Sequence, residues 1–187
     1  MDNRLISQIK RGLKVTTGYL MILIVFTVFS MPLLGLSGDN TPKVMPYVSF
    51  ILFLLLFCSV YIEMRNIAFK EKRPQYNINP SPFKGLLYGF LGIIPLVIIQ
   101  GILIMIQVPE DYTVLLRRVY QGLSGPLYWF ARLLGNAPIH YMISFILVVF
   151  MAALGYYAGH KEFYLVAFIR NKLGIKKKVK KNRTPTR

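Results

Sequence analysis

Long uninterrupted runs of apolar residues dominate the chain, and four of them are long enough to predict helices that cross a bilayer. The stretch 85–108 holds 24 residues without a charge. At 1.5 Å per residue it spans the hydrocarbon layer of a membrane, which is roughly 30 Å thick. Three further runs lie at about 15–36, 44–62 and 139–159. A soluble domain would alternate apolar and polar positions, so the pattern predicts an all-α integral membrane protein with four transmembrane helices.

The first apolar run follows a short basic lead-in. Apolar residues recur at helical spacing within residues 1–14, at Leu5, Ile6, Ile9 and Leu13. This spacing predicts a short amphipathic helix lying on the membrane surface. A cleaved signal peptide is the alternative, because Gly35 and Ser37 are small residues of the kind found at cleavage sites. The apolar run is longer than the core of most signal peptides, which favours a retained helix.

Small residues and amides share one face of the third run. A rotation of about 100° per residue places five of them within an arc of about 80°: Gly85, Gly89, Gly92, Gln100 and Gln107. In the fourth run the same rotation groups Gly155 and Gly159 with His140 and Ser144. Small residues let the backbones of membrane helices approach closely. We expect both faces to pack helices, either within the bundle or against a partner.

The connectors are unequal in length and composition. Residues 37–43 form a short polar turn, whereas 65–84 is a polar connector whose three prolines disfavour a long helix. Residues 109–138 begin with an amphipathic pattern, break at Gly122, Gly125 and Pro126, and continue with aromatic-belt composition. This connector predicts an outer helical segment that is interfacial or partly re-entrant.

The positive charges are distributed unevenly among these connectors. Residues 1–14, 65–84 and 161–187 together hold nineteen Lys and Arg, and the rest of the chain holds four. Such a bias places the N- and C-termini in the cytoplasm, in agreement with an even number of spans. The short loops and the lysine-rich segments on the predicted cytoplasmic side fit a bacterial cytoplasmic membrane, with an organelle membrane as the alternative.

The same bias accounts for the formal net charge of +16 without nucleic acid as a partner. Residues 1–175 are predicted to form one membrane domain, and 176–187 a disordered basic tail. The tail lysines are expected to contact anionic head groups on the cytoplasmic side: Lys176, Lys177, Lys178, Lys180 and Lys181. On the outer side, Arg117, Arg118 and Arg132 can grip phosphate or simply extend to the interface.

One short stretch suggests an enzyme. Ser124 stands in Gly122-Leu123-Ser124-Gly125, and His140 follows sixteen residues later. A serine and a histidine within hydrogen-bond reach can carry out acyl transfer. The four residues resemble the serine motif of rhomboid-type intramembrane proteases, which pair it with a histidine on another helix. The resemblance implies a membrane serine hydrolase that uses Ser124 and His140, although four spans are fewer than that fold contains.

No motif for a metal, nucleotide or other cofactor is present in the sequence, and a single cysteine, Cys58, excludes an intrachain disulfide. The leading hypothesis is therefore a non-catalytic subunit or accessory factor of a membrane assembly, related to transport or lipid. A small oligomeric transporter or pore lined by Gln100 and Gln107 is the first alternative, and the serine hydrolase is the second.

Overall fold

The computed structural model describes residues 5–37, 40–73, 80–106, 109–162 and 172. Within these ranges the chain is almost entirely helical and contains no strand. The helices are α1 (Leu5–Ser37), α2 (Thr41–Glu71), α3 (Lys84–Met105), α4 (Glu110–Leu123), α5 (Tyr128–Leu134), α6 (Pro138–Ser144) and α7 (Ile146–His160), with a 3₁₀ turn at Gly125–Leu127. Among the described residues, four segments are long and apolar enough to cross a membrane: α1, α2, α3 and the α6–α7 pair. The prediction of an all-helical protein with four membrane-length helices is confirmed.

The four long segments form a bundle in which α1, α2, α7 and α3 follow one another around a common axis. Each helix packs on the next, and α3 closes the ring against α1. Each of the four long segments contributes large buried side chains to the interior, among them Tyr19, Leu56, Tyr88 and Tyr156. Because lipid is as apolar as these side chains, close packing and interhelical hydrogen bonds stabilise such a bundle.

The sequence predicted that the lead-in is a separate helix on the membrane surface. In the structure its described residues are instead the first part of α1. The predicted apolar face is exposed in the structure, with Leu5 71% and Ile6 67% accessible. Arg11 and Val15 face the bundle instead. No glycine–proline break separates the lead-in from the apolar run, so the helix continues through both.

Helix α2 extends nine residues beyond the predicted end of its span. Met64, Ile67 and Ala68 are buried at i, i+3 and i+4, so the face that packs in the bundle continues into the predicted connector. The first proline of that connector is Pro74, three residues after the last helical residue, Glu71. The helix therefore ends later than expected, just before the first proline, and the first part of the connector 65–84 is helical.

The fourth span is divided at Phe145. The Phe145 N–H donates to the Met142 carbonyl, and the Val148 N–H donates to the Phe145 carbonyl, both in the tighter i to i+3 pattern. The Ser144 hydroxyl donates to the Tyr141 carbonyl at 2.6 Å. Such local side-chain bonds compete with the helical ladder and bend helices. Sequence reasoning placed His140 and Ser144 on one face with Gly155 and Gly159 by assuming one straight helix over 139–159. Because the span is divided, that grouping does not hold between α6 and α7.

The connector between the third and fourth spans folds as a helix, a break and a second helix, in the predicted order. The 3₁₀ turn Gly125–Leu127 is buried and packs against both α1 and α2. Helix α4, in contrast, is mostly exposed. Gln107 and the tail 176–187, with its five named lysines, lie outside the described residues.

Candidate functional site

A fully buried carboxylate lies at one end of the bundle. Glu71 is 1% exposed and is the last residue of α2. Four side chains surround it, and together they form what we call the Glu71 cluster: Arg11, Glu71, Lys84, Tyr88 and Tyr156. These residues come from α1, α2, α3 and α7, so every long helix of the bundle contributes to the cluster.

Each oxygen of Glu71 is contacted by side chains of two helices. Oε1 accepts a hydrogen bond from the Tyr88 hydroxyl at 2.6 Å and a short bond from Arg11 Nη1. Oε2 accepts a hydrogen bond from the Tyr156 hydroxyl at 2.6 Å, and Lys84 Nζ lies 3.8 Å from it. The same Arg11 nitrogen also donates to the Tyr88 hydroxyl at 3.0 Å. The carboxylate is thus bound on both sides by donors.

This arrangement has the chemistry of a structural ion pair. A buried charge is costly unless it is paired and hydrogen-bonded. The guanidinium and the phenols supply charge and directed donors, and they use the carboxylate's acceptor capacity within the protein. Among the described residues no group of three or more His, Cys, Asp or Glu is placed to hold a metal ion.

Sequence reasoning missed the Glu71 cluster because it placed Arg11 in the basic lead-in 1–14 and position 71 within the polar connector 65–84. The signal was present in the periodicity. Val60, Met64, Ile67 and Glu71 follow one another at steps of three and four, which places Glu71 on the buried stripe of α2. An acid in register with a buried stripe needs a partner, and the basic lead-in provides it.

Two exposed ion pairs lie near the same end of the bundle. Lys14 Nζ is 2.6 Å from Glu63 Oε1, and Lys72 Nζ is 2.7 Å from Glu162 Oε1. The hydrogen bond from Lys72 lowers the pKa of Glu162 below its ordinary value. Exposed pairs of this kind contribute little to stability compared with a buried one.

A second polar region lies where the connector enters the bundle, in the inserted segment Leu123–Leu127. The Tyr19 hydroxyl donates to the Leu123 carbonyl at 2.7 Å. Ser49 Oγ donates to the Gly125 carbonyl at 2.7 Å and accepts the Trp129 N–H at 3.1 Å. Residues of α1 and α2 thereby satisfy backbone groups that a break in the helix leaves without partners.

Gln100 and Ser124 meet at the Tyr120 carbonyl, within the bundle. The Gln100 side-chain amide donates to that carbonyl at 3.4 Å, and the Ser124 backbone N–H donates to it at 3.3 Å. Both side chains are fully buried, and neither Gln100 Oε1 nor Ser124 Oγ has a hydrogen-bond partner within the described residues. Gln100 therefore faces the last turn of α4 of its own chain.

The serine and histidine of the predicted dyad are not hydrogen-bonded to one another. Ser124 Oγ is buried without a partner among the described residues. His140 Nδ1 accepts the Ala137 backbone N–H at 3.2 Å, at the start of α6. The ring thus bonds its own helix terminus, and the geometry as it stands does not activate the serine.

The glycines of the two small faces lie at close helix contacts inside the bundle. A Cβ on Gly85 or Gly89 would come within 3 Å of α7 atoms, and one on Gly92 within 3 Å of α1 atoms. Gly155 and Gly159 stand equally close to the backbone of α2. The face predicted on the third helix therefore divides between two neighbours, α7 and α1.

The three arginines that the sequence predicts on the outer side differ in their surroundings. Arg117 and Arg118 are exposed on α4. Arg132 is exposed as well, but its guanidinium donates a short hydrogen bond to the Pro42 carbonyl at the start of α2. Arg132 thus ties α5 to α2, while the α4 pair remains accessible.

The comparison with protein-family models gives no match, and neither do the comparisons with curated proteins and with solved structures. The function of this chain therefore has to be inferred from its geometry.

Proposed function

We propose that this chain is a non-catalytic integral membrane protein that serves as a subunit or accessory factor of a membrane assembly, related to transport or lipid. The Glu71 cluster carries the proposal. Arg11 and Glu71 are buried ions that bind one another and two phenols of the same chain. Their hydrogen-bonding capacity is directed inward, as expected of a scaffold that holds four helices together.

The proposed setting is a bacterial cytoplasmic membrane with both termini in the cytoplasm. The charge bias of nineteen against four supports this orientation. Three exposed apolar residues of the amphipathic helix α4, Tyr112, Leu115 and Val119, suit contact with the outer membrane surface. Arg117 and Arg118 would then lie at head-group level, where they can bind lipid phosphate.

An oligomeric pore is supported less well by the geometry. Its proposed lining included Gln100, which is 0% exposed and bonds the Tyr120 carbonyl of its own chain. A pore along this face would require α4 to move away from Gln100 and the bond to Tyr120 to break.

The test of the proposed function is gentle extraction from native membranes with a quantitative count of what remains bound. We expect a second protein at fixed stoichiometry, and we expect removal of that protein to lower the steady-state level of this chain. A chain that extracts alone and keeps its level without any partner would contradict the proposal. Self-assembly into a ring of identical chains would favour the pore.

The hydrolase alternative has its own test. A fluorophosphonate probe labels a serine whose hydroxyl is activated by a base. We expect no labelling of Ser124 in the purified, folded protein, because Ser124 is buried and His140 is bonded elsewhere. Labelling that disappears in both Ser124→Ala and His140→Ala would show a catalytic dyad and contradict the non-catalytic proposal.

A further inference from the structure

A groove of about 500 Å³ runs between α1 and α2 on the outside of the bundle. It is unrelated to the Glu71 cluster and to the inserted segment. Its walls combine a charged mouth with a mainly apolar floor, and the lining residues are Lys14, Thr17, Gly18, Met21, Ser59, Val60, Ile62 and Glu63.

The mouth of the groove carries one positive and one negative charge. Lys14 Nζ and Glu63 Oε1 are 2.6 Å apart, and their side chains are 50% and 40% exposed. Each therefore keeps donor or acceptor capacity toward the outside, since an ammonium has three donors and a carboxylate accepts several bonds. Lys14 directly precedes the first apolar run, and Glu63 directly follows the second. The hydropathy pattern thus puts this mouth at the boundary between head groups and hydrocarbon.

The floor of the groove exists because small residues face one another below the mouth. A Cβ on Gly18 would lie 3.6 Å from Ser59 Oγ, an ordinary contact, so the helices do not touch closely here. From Lys14 to Met21 the groove follows seven residues of α1, about 10 Å along the helix axis. This length accommodates the upper part of an acyl chain.

We propose that the groove binds one phospholipid whose head group carries a phosphate and a primary ammonium, as in phosphatidylethanolamine. The phosphate is placed to accept from Lys14, and the ammonium to donate to Glu63, while one acyl chain lies along Gly18 and Met21. Charge complementarity selects this occupant. A choline head group has no N–H to donate, and an anionic head group without an ammonium meets the repulsion of Glu63.

The test uses the full chain in detergent and native mass spectrometry with three lipids of identical acyl chains, bearing ethanolamine, choline or glycerol head groups. For the unaltered protein we expect one tightly retained lipid and about tenfold tighter retention of the ethanolamine lipid than of the choline lipid, a difference typical of one charge-assisted hydrogen bond. Equal retention of all three lipids would overturn the proposal.

Two variants locate the site. Gly18→Leu places a branched side chain in the groove. A Cβ at Gly18 would meet only side-chain atoms within 4 Å, Ser59 Oγ at 3.6 Å and Val60 Cγ2 at 3.8 Å, so we expect loss of the retained lipid with the unfolding temperature unchanged. Gly101→Leu is the matched control, because nothing lies within 4 Å of a Cβ at Gly101 on α3. We expect it to retain the lipid, and the proposal fails if Gly18→Leu retains the lipid equally well.

The head-group assignment has a separate variant that does not depend on tolerance of Gly18→Leu. Glu63→Leu removes the acceptor for the ammonium and leaves Lys14 unopposed. We expect the ethanolamine and choline lipids to be retained about equally, and the anionic glycerol lipid to be retained more tightly than before. An ethanolamine preference that survives Glu63→Leu would contradict the assignment.

Discussion

Glu71 and Glu63 lie eight residues apart on α2, and the structure gives them opposite environments. Glu63 is half exposed and meets a single lysine, whereas Glu71 is closed in by α1, α3 and α7. Position relative to the buried stripe of α2 decides the difference. Both residues are glutamates with basic residues close by in the sequence, so composition alone assigns them the same role.

This contrast gives a matched pair of substitutions. Glu71→Gln leaves the Arg11 guanidinium buried without its counter-charge, and breaking a buried pair typically costs about 3–5 kcal/mol. Glu63→Gln, on the same helix, removes an exposed pair worth about 0–1 kcal/mol. We expect thermal unfolding in detergent to show a large loss for the first variant and almost none for the second. Equal effects would mean that the Glu71 cluster does not hold the bundle together.

At the residue level the sequence indicated some of the unusual side chains, but not what they contact. Gln100 and Ser124 stood out because an amide in an apolar run and a serine between glycines are rare. The acceptor of the Gln100 side chain, the Tyr120 carbonyl, depends on how the connector folds back onto α3. That path is a tertiary property, and no spacing along one helix encodes it.

At the scale of helices, hydrophobic runs predicted the number and type of the long elements but not their ends. Apolar composition ends α2 at Ile62, while the helix itself continues to Glu71 because its buried face continues. The fourth span is divided at Phe145, beside a hydrogen bond from the Ser144 hydroxyl to the Tyr141 carbonyl. Neither the true end of α2 nor the division of the fourth span is visible in hydropathy averaged over a window of residues.

The close contact between α3 and α7 provides the next prediction. A Cβ on Gly89 would lie 2.9 Å from Val149 Cα, so Gly89→Leu must push the two backbones apart. Overpacking of this kind costs about 1–3 kcal/mol. Gly101→Leu, twelve residues later on the same helix, faces open space and serves as the control. We expect a lowered unfolding temperature in detergent for Gly89→Leu only, and an unchanged temperature would show that α3 and α7 do not pack through this face.

For the whole molecule, the Glu71 cluster and the charge bias support the same arrangement. Arg11 near the start of α1, Glu71 at the end of α2, Lys84 at the start of α3 and Tyr156 near the end of α7 meet in one place. Four helix ends therefore lie together at one end of the bundle, and the basic residues of the chain are concentrated beside them in sequence. Both observations agree with an even number of crossings and with termini on one side.

Labelling of single cysteines tests this account most directly. In a Cys58→Ser background, cysteines replace four exposed residues: Asn40 and Arg118 at the proposed outer side, and Lys72 and Glu162 at the proposed cytoplasmic side. A membrane-impermeant thiol reagent applied to intact cells should label the first two, and should reach the other two only after permeabilisation. Labelling of Lys72→Cys or Glu162→Cys in intact cells, with protection of Asn40→Cys and Arg118→Cys, would contradict the proposed orientation. Labelling of one member of each pair would contradict the four-span arrangement itself.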